Sequence, residues 1–279
     1  MSVWKRPALL AVSVVTAAAL TACGGAESDA DADAPAQSSV LELLATDLKG
    51  SLQKTVESTE KSDSVTLAMQ GNVGGEKVSI QGAVDLRDPI KAELITTSAE
   101  NETITVRIID TVVFVEIPAD QRASMNGKSW MKMDPTASGE QQGLEFSKQL
   151  DDVDPAKQVK ALLASEGVKV VGEETLDGTP TVHYTVTTPL GKYLEQVDPK
   201  LRGPVEGQLT EQGVKEIKID LWVDEQYRPR RAALVMGTVT DMTIDYSDYG
   251  KAVTIETPPD AETLDLAKMI EEMQNPGND

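Results

Sequence analysis

Hydrophobic and polar positions alternate along this chain in two periods, and the switch between them divides it. From Ser39, Leu41, Leu44, Leu48, Leu52 and Val56 recur at helical spacing, with Glu42, Asp47, Lys49, Lys54 and Glu57 on the opposite side. Ser39-x-x-Glu42 has the form of a capping box, so the pattern predicts one amphipathic helix over 39–60. The period then falls to two. Val65, Leu67 and Met69 alternate with polar residues, as do Val78, Ile80, Val84 and Leu86, then Ile104, Val106 and Ile108, then Val113, Val115 and Ile117. Gly71-Asn72, Gly74-Gly75 and Asp88-Pro89 separate these runs. Short alternating strands between turn residues predict antiparallel hairpins with one buried face.

The pattern breaks after Trp130, Met131 and Met133. A second helix follows in 144–165, carrying Leu144, Leu150, Val159, Leu162 and Leu163. Asp154-Pro155 suits a helix start, and Gly167 ends the stretch. Strands resume over 167–174 and 181–188 around a hairpin turn at Asp177-Gly178. Residues 189–213 read as a helical or irregular excursion, and 214–224, 230–240 and 241–248 return to alternation. Pro258-Pro259-Asp260 ends the sheet and opens a last helix with Leu266, Met269, Ile270 and Met273 on one side; 273–279 should fray.

No linker and no fixed-period repeat interrupts 39–272. The expected fold is α+β: one antiparallel sheet of about nine to eleven strands, with helices from three separate places. An open sheet of that size must curl or split. Helices packed on the concave face of a strongly curved sheet give a half-barrel, and an apolar cavity can lie between the layers.

The start of the chain follows another pattern. Lys5 and Arg6 precede an uncharged apolar run, Ala8 to Ala19, too short for a permanent membrane span of about 20 residues. This is the layout of a secretory signal peptide, residues 1–22. The run ends at Leu20-Thr21-Ala22-Cys23, which contains the single cysteine. A lone thiol cannot form an internal disulfide, and with one histidine in the chain it has little prospect of completing a zinc site. The four residues resemble the lipobox of bacterial lipoproteins, in which the cysteine receives a diacylglyceryl group and cleavage occurs before it. Two acyl chains on one residue meet the requirement of two hydrophobic signals for stable anchoring. The alternative is an ordinary secretory peptide with an incidental cysteine. Residues 24–38, GGAESDADADAPAQS, cannot bury apolar surface and read as a disordered acidic tether reaching roughly 20 Å. DADAD lacks the glycine and distal glutamate of an EF-hand loop.

Charge narrows the partners. The chain carries 26 basic and 46 acidic residues, a net charge of −20, and loss of Lys5 and Arg6 with the signal peptide takes it to −22. Such a chain repels nucleic acid and anionic headgroups, so any membrane link has to be hydrophobic. The expected place is the extracytoplasmic face of the cell membrane.

Three stretches, GVKVVGEETLDGTPTVHYTV (167–186), DLWVDEQYRPRRAALV (220–235) and DYSDYGKAVTIETPPDA (245–261), together with the lipobox, resemble actinobacterial lipoproteins of the LppX/LprAFG family, whose half-barrel is shared with the LolA and LolB carriers. The resemblance spans most of 39–265 and is strongest in the C-terminal half. It implies a cavity that holds a lipid or an acylated molecule for carriage or presentation across the envelope. It brings no catalytic signature and no cofactor, and its sharp motif maps to Cys23 alone. The candidate lining is the apolar strand face, Leu67, Met69, Ile80, Val84, Ile104, Val106, Ile108, Val113 and Val115, with Leu144 and Leu162 from the helical stretch. The same residues suit a filled core equally, as in an envelope sensor or a protein-interaction module.

No nucleophile elbow, phosphate loop, dinucleotide fingerprint or zinc spacing occurs. Adjacent carboxylates such as Asp151-Asp152 and Glu173-Glu174 point apart in strands or loops, so no acid–base pair is read from them. His183, between Val182 and Tyr184, reads as a satisfied or solvated strand histidine. Arg228, Arg230 and Arg231 are the one local basic cluster, read either as solvated hairpin charge or as contacts for a phosphate or a lipid headgroup. An enzyme is therefore not expected.

Overall fold

The computed structural model describes residues 39–97, 103–134, 154–195 and 199–269. Cys23, the signal peptide, the tether, Leu144, Ile270 and Met273 lie outside the described residues.

The first amphipathic stretch forms two helices rather than one. Helix α1 (Val40–Thr46) starts at Ser39, whose hydroxyl accepts the Glu42 N–H at 3.1 Å. Asp47 then leaves helical geometry (φ −108°, ψ 74°), and its carboxylate caps α2 (Leu48–Glu60) by accepting the Gly50 N–H at 3.0 Å. An aspartate that bonds a backbone N–H three residues on competes with helix continuation. The periodicity could not register this break because the stripe runs across it: Leu44, Leu52 and Val56 are buried, and Leu41 and Leu48 pack beside them. Helix α3 (Pro155–Ala164) begins where Asp154-Pro155 predicts, with the Asp154 carboxylate accepting the Ala156 N–H at 2.8 Å. Val159 and Leu162 face the core. The 189–213 excursion holds α4 (Leu190–Leu194) and α5 (Pro199–Glu211).

The strands are β1 (Ser64–Val73), β2 (Glu76–Asp85), β3 (Lys91–Thr97), β4 (Thr103–Ile109), β5 (Val112–Glu116), β6 (Trp130–Met133), β7 (Lys169–Leu176), β8 (Thr179–Pro189), β9 (Glu216–Asp224), β10 (Pro229–Met236), β11 (Thr240–Ser247) and β12 (Thr263–Asp265). They form one curled, unclosed twelve-stranded sheet in the order β12-β6-β5-β4-β3-β2-β1-β11-β10-β9-β8-β7. All pairs are antiparallel except β12 with β6. Three of these strands escape the apolar pattern. β3 (KAELITT) puts Ala92, Leu94 and Thr96 on the buried face, too weak a signal beside its charges. β6 and β12 are short. A 3₁₀ turn at Asp260–Glu262 and then β12 occupy the place where the last helix was expected to open, and helical residues begin only at 266.

The register builds one continuous inner face. Met131 pairs with Val115, Val115 with Val106, Val106 with Leu94, Leu94 with Gly82, Gly82 with Leu67 and Leu67 with Tyr246. On the far side, Ile244 pairs with Ala232, Ala232 with Leu221 and Leu221 with Tyr184. Helices α1, α2 and α3 pack on this face, and Tyr184, fully buried, donates its hydroxyl to the Leu44 carbonyl at 2.7 Å. Burial pushes the Tyr184 phenol well above its usual pKa, so it remains a donor. Gly82 lets the strands approach closely on the inside of the curl: a Cβ there would sit 2.0 Å from the Glu93 carbonyl oxygen. Glycine at such inner positions is a device for bending a sheet.

Candidate ligand cavity

Alternation along β1, β9, β10 and β11 sends Met69, Ile217, Ile219, Ala232, Leu234, Met242 and Ile244 to the inner face. Together with Met236, they form the floor of a cavity of about 580 Å³. Its other wall is α3, through Lys157, Gln158, Ala161 and Ser165 at its end, with Tyr193 of α4. The volume falls within the range of about 300–1,000 Å³ usual for small-molecule sites. The floor is largely apolar; Thr188 of β8 also lines it, and the other polar groups come from the helices and their ends. Three methionines (Met69, Met236 and Met242) supply soft, unbranched surface that repacks around differently shaped apolar guests.

Of the residues proposed from sequence as lining, Met69 lines this cavity. Leu67, Val84, Ile108, Val113 and Leu162 are buried; Leu67, Val84, Ile108 and Leu162 belong to the core under the helices, with Val106 half-buried against it. Ile80, Ile104 and Val115 are half-buried and share the inner face further along the sheet, by register. The cavity therefore lies over the C-terminal strands and β1, whereas the proposed set follows β1, β2, β4 and β5. Alternation identifies an inner face but not which part of it a helix covers tightly and which part loosely. The available signal was the clustering of methionine and alanine in 230–242.

His183 lies on the opposite face of the sheet. Its Nδ1 is 2.9 Å from Glu174 Oε1 and its Nε2 3.0 Å from Asp220 Oδ1. Its ring stacks on Trp222 at 4.1 Å between centroids. The Trp222 indole N–H donates to Glu174 Oε2 at 2.7 Å. That bond, followed by the one from His183, holds the Glu174 carboxyl below its usual pKa. Both ring nitrogens of the histidine have carboxylate partners, which fits a brace across β7, β8 and β9. The arginine cluster is divided: Arg231 pairs with Asp245 and, at 3.5 Å, with Asp177, while Arg228 faces a different pocket. Among the described residues, no three His, Cys, Asp or Glu are placed to hold a metal, and no helix is long and apolar enough to cross a membrane.

A single curled, unclosed sheet with helices folded over its inner face is a half-barrel, the fold class of LppX-like proteins. Solved structures with this fold include the lipoprotein LppX of Mycobacterium tuberculosis, which matches 75% of this chain and 98% of its own with a TM-score of 0.50 at 16% identity, and LprF of Mycobacterium bovis, with a TM-score of 0.50 at 15% identity over 76% of this chain and 97% of its own. In sequence, the chain is 26% identical over 235 residues to an uncharacterized 31.2 kDa protein of Streptomyces griseus, covering 80% of this chain and 77% of the relative. It is also 31% identical over 153 residues to a Streptomyces coelicolor protein named as a lipoprotein; that match covers 52% of this chain and less than half, 45%, of the relative. No family model matches.

Proposed function

We propose that this chain is a binding protein of the cell envelope, not an enzyme. A diacylglyceryl group on Cys23 tethers it to the extracytoplasmic face of the membrane, and the cavity under α3 shelters the acyl chain of a lipid or an acylated small molecule. The observation that carries this reading is the 580 Å³ space with its aliphatic and methionine floor. Burial of apolar surface drives entry at about 25 cal/mol per Å², so ten methylenes taken from water contribute about 8 kcal/mol before the costs of ordering the chain. Transfer is passive, and its direction is set by a donor or acceptor, such as another envelope protein.

Ala161 is exposed on α3 and lines the cavity, so a large ring there enters the cavity rather than the core. Ala161→Trp is expected to weaken binding of a fluorescent fatty-acyl probe by at least about tenfold, a loss of 1.4 kcal/mol, with the melting temperature held within a few degrees. Unchanged probe affinity in a folded Ala161→Trp protein counts against the cavity as the binding site.

A further inference from the structure

A second pocket lies beyond the start of β10, roughly 20 Å along that strand from the Met236 end of the cavity. It measures about 350 Å³ and lies between α2 and the β9–β10 turn. Lys54, Lys61 and Arg228 line it, with Glu57 the one carboxylate and Ser58, Ser62 and Tyr227 completing the wall. Several cations elsewhere on the protein have a carboxylate partner, among them Arg87 with Asp85, Arg107 with Glu93, Lys160 with Glu60 and Arg231 with Asp245. Among the described residues, none of the three cations of this pocket has a carboxylate within ion-pair distance. Two lie over aromatic rings instead, Lys54 at 5.4 Å from the Tyr227 centroid and Arg228 at 5.6 Å from that of Tyr249. An aromatic face positions a cation without cancelling its charge.

The Arg228 Nε is also buried without a hydrogen-bond partner, and an unmet buried donor costs about 1–3 kcal/mol. The turn that carries it is tightly held. Asp224 Oδ1 accepts the backbone N–H groups of Gln226 and Arg228 at 2.9 and 3.0 Å, and the Ser58 hydroxyl ties α2 to the Gln226 carbonyl at 2.9 Å. Tyr227 stands in the left-handed region at φ 55°. The Nε itself is closed to solvent, so contact with a ligand falls to the rest of the guanidinium; held on this turn beside two ammonium groups that have no carboxylate partner, it suits the oxygens of a phosphate group.

We propose that this pocket binds a phosphate-bearing ligand, either a soluble phosphate or the phosphate of a lipid headgroup. The test uses the full chain carrying Cys23→Ser, so that no acyl anchor confuses the readout. Inorganic phosphate, titrated through about the millimolar range against chloride of equal ionic strength, is expected to raise the melting temperature by ligand linkage. Lys61→Gln, at an exposed position, and Arg228→Gln should each weaken that effect by about tenfold, and Glu57→Gln should strengthen it. If phosphatidylglycerol in phosphatidylcholine vesicles also captures the Cys23→Ser protein but not its Lys61→Gln and Arg228→Gln variants, the headgroup is the source. If phosphate acts and the vesicles do not, the source is soluble. A phosphate effect no larger than that of chloride, together with no residue-dependent vesicle capture, overturns the proposal. So does an effect that the two variants retain.

Discussion

Gly82→Ala is expected to destabilise the protein by about 3 kcal/mol, read as a lower midpoint in denaturant unfolding at unchanged slope. Gly82 sits on the inner face of β2, between Leu67 of β1 and Leu94 of β3. A methyl group there would lie 2.0 Å from the Glu93 carbonyl oxygen and 2.9 Å from the Leu94 Cα. Both obstacles are backbone, so no side-chain rotation relieves the clash, and β2 and β3 must separate or flatten. Their inner-face neighbours Leu67, Val84 and Ala92 belong to the core, so the strain spreads into the packing under α1 and α2. Gly207→Ala in α5 is the matched control. Its Cβ meets nothing within 4 Å, and alanine favours the helix by up to about 1 kcal/mol. Equal midpoints for Gly82→Ala and wild type would show that the curl does not depend on this close approach.

The sheet, its inner face and its helices were legible because period is a local property. Residues 65–69, 78–86 and 214–224 each alternate clearly, and the Asp177-Gly178 turn takes the expected left-handed conformations at φ 50° and 81°. The exceptions share a cause. Asp47 divides the first helix by a side-chain cap, and β3, β6 and β12 owe their pairing to neighbours already in place rather than to their own apolar content. The site was less legible for the same reason. Leu67 and Met69 stand two residues apart on one strand face, yet Leu67 belongs to the core and Met69 to the cavity wall. The difference is made by α3, which arrives from about ninety residues further along the chain. No pattern within β1 records where that helix will rest.

The second large effect concerns the membrane. Cys23→Ala is expected to move the protein from the membrane pellet to the soluble fraction almost completely. Each buried acyl methylene contributes about 0.8 kcal/mol, so two chains on Cys23, as proposed, would hold the protein far more firmly than any other feature of the sequence. Outside the small pocket of Lys54, Lys61 and Arg228, an acidic protein of net charge −20 is repelled by an anionic surface. Fractionation followed by metabolic labelling with an acyl analogue tests both parts, localisation and covalent attachment. A Cys23→Ala protein that stays in the pellet through a carbonate wash would mean that something other than the acylated cysteine holds it there.

On the proposed reading, the space between α3 and the C-terminal strands receives an apolar chain. Native mass spectrometry of the full chain, gently extracted from its own membranes, tests it most directly. A non-covalent lipid or acylated molecule is expected at one per protein, beyond any covalent lipid on Cys23, and it should be lost from Ala161→Trp. Repeated spectra of folded wild-type protein without such a guest would contradict it, and would leave a half-barrel whose work is done through its surface.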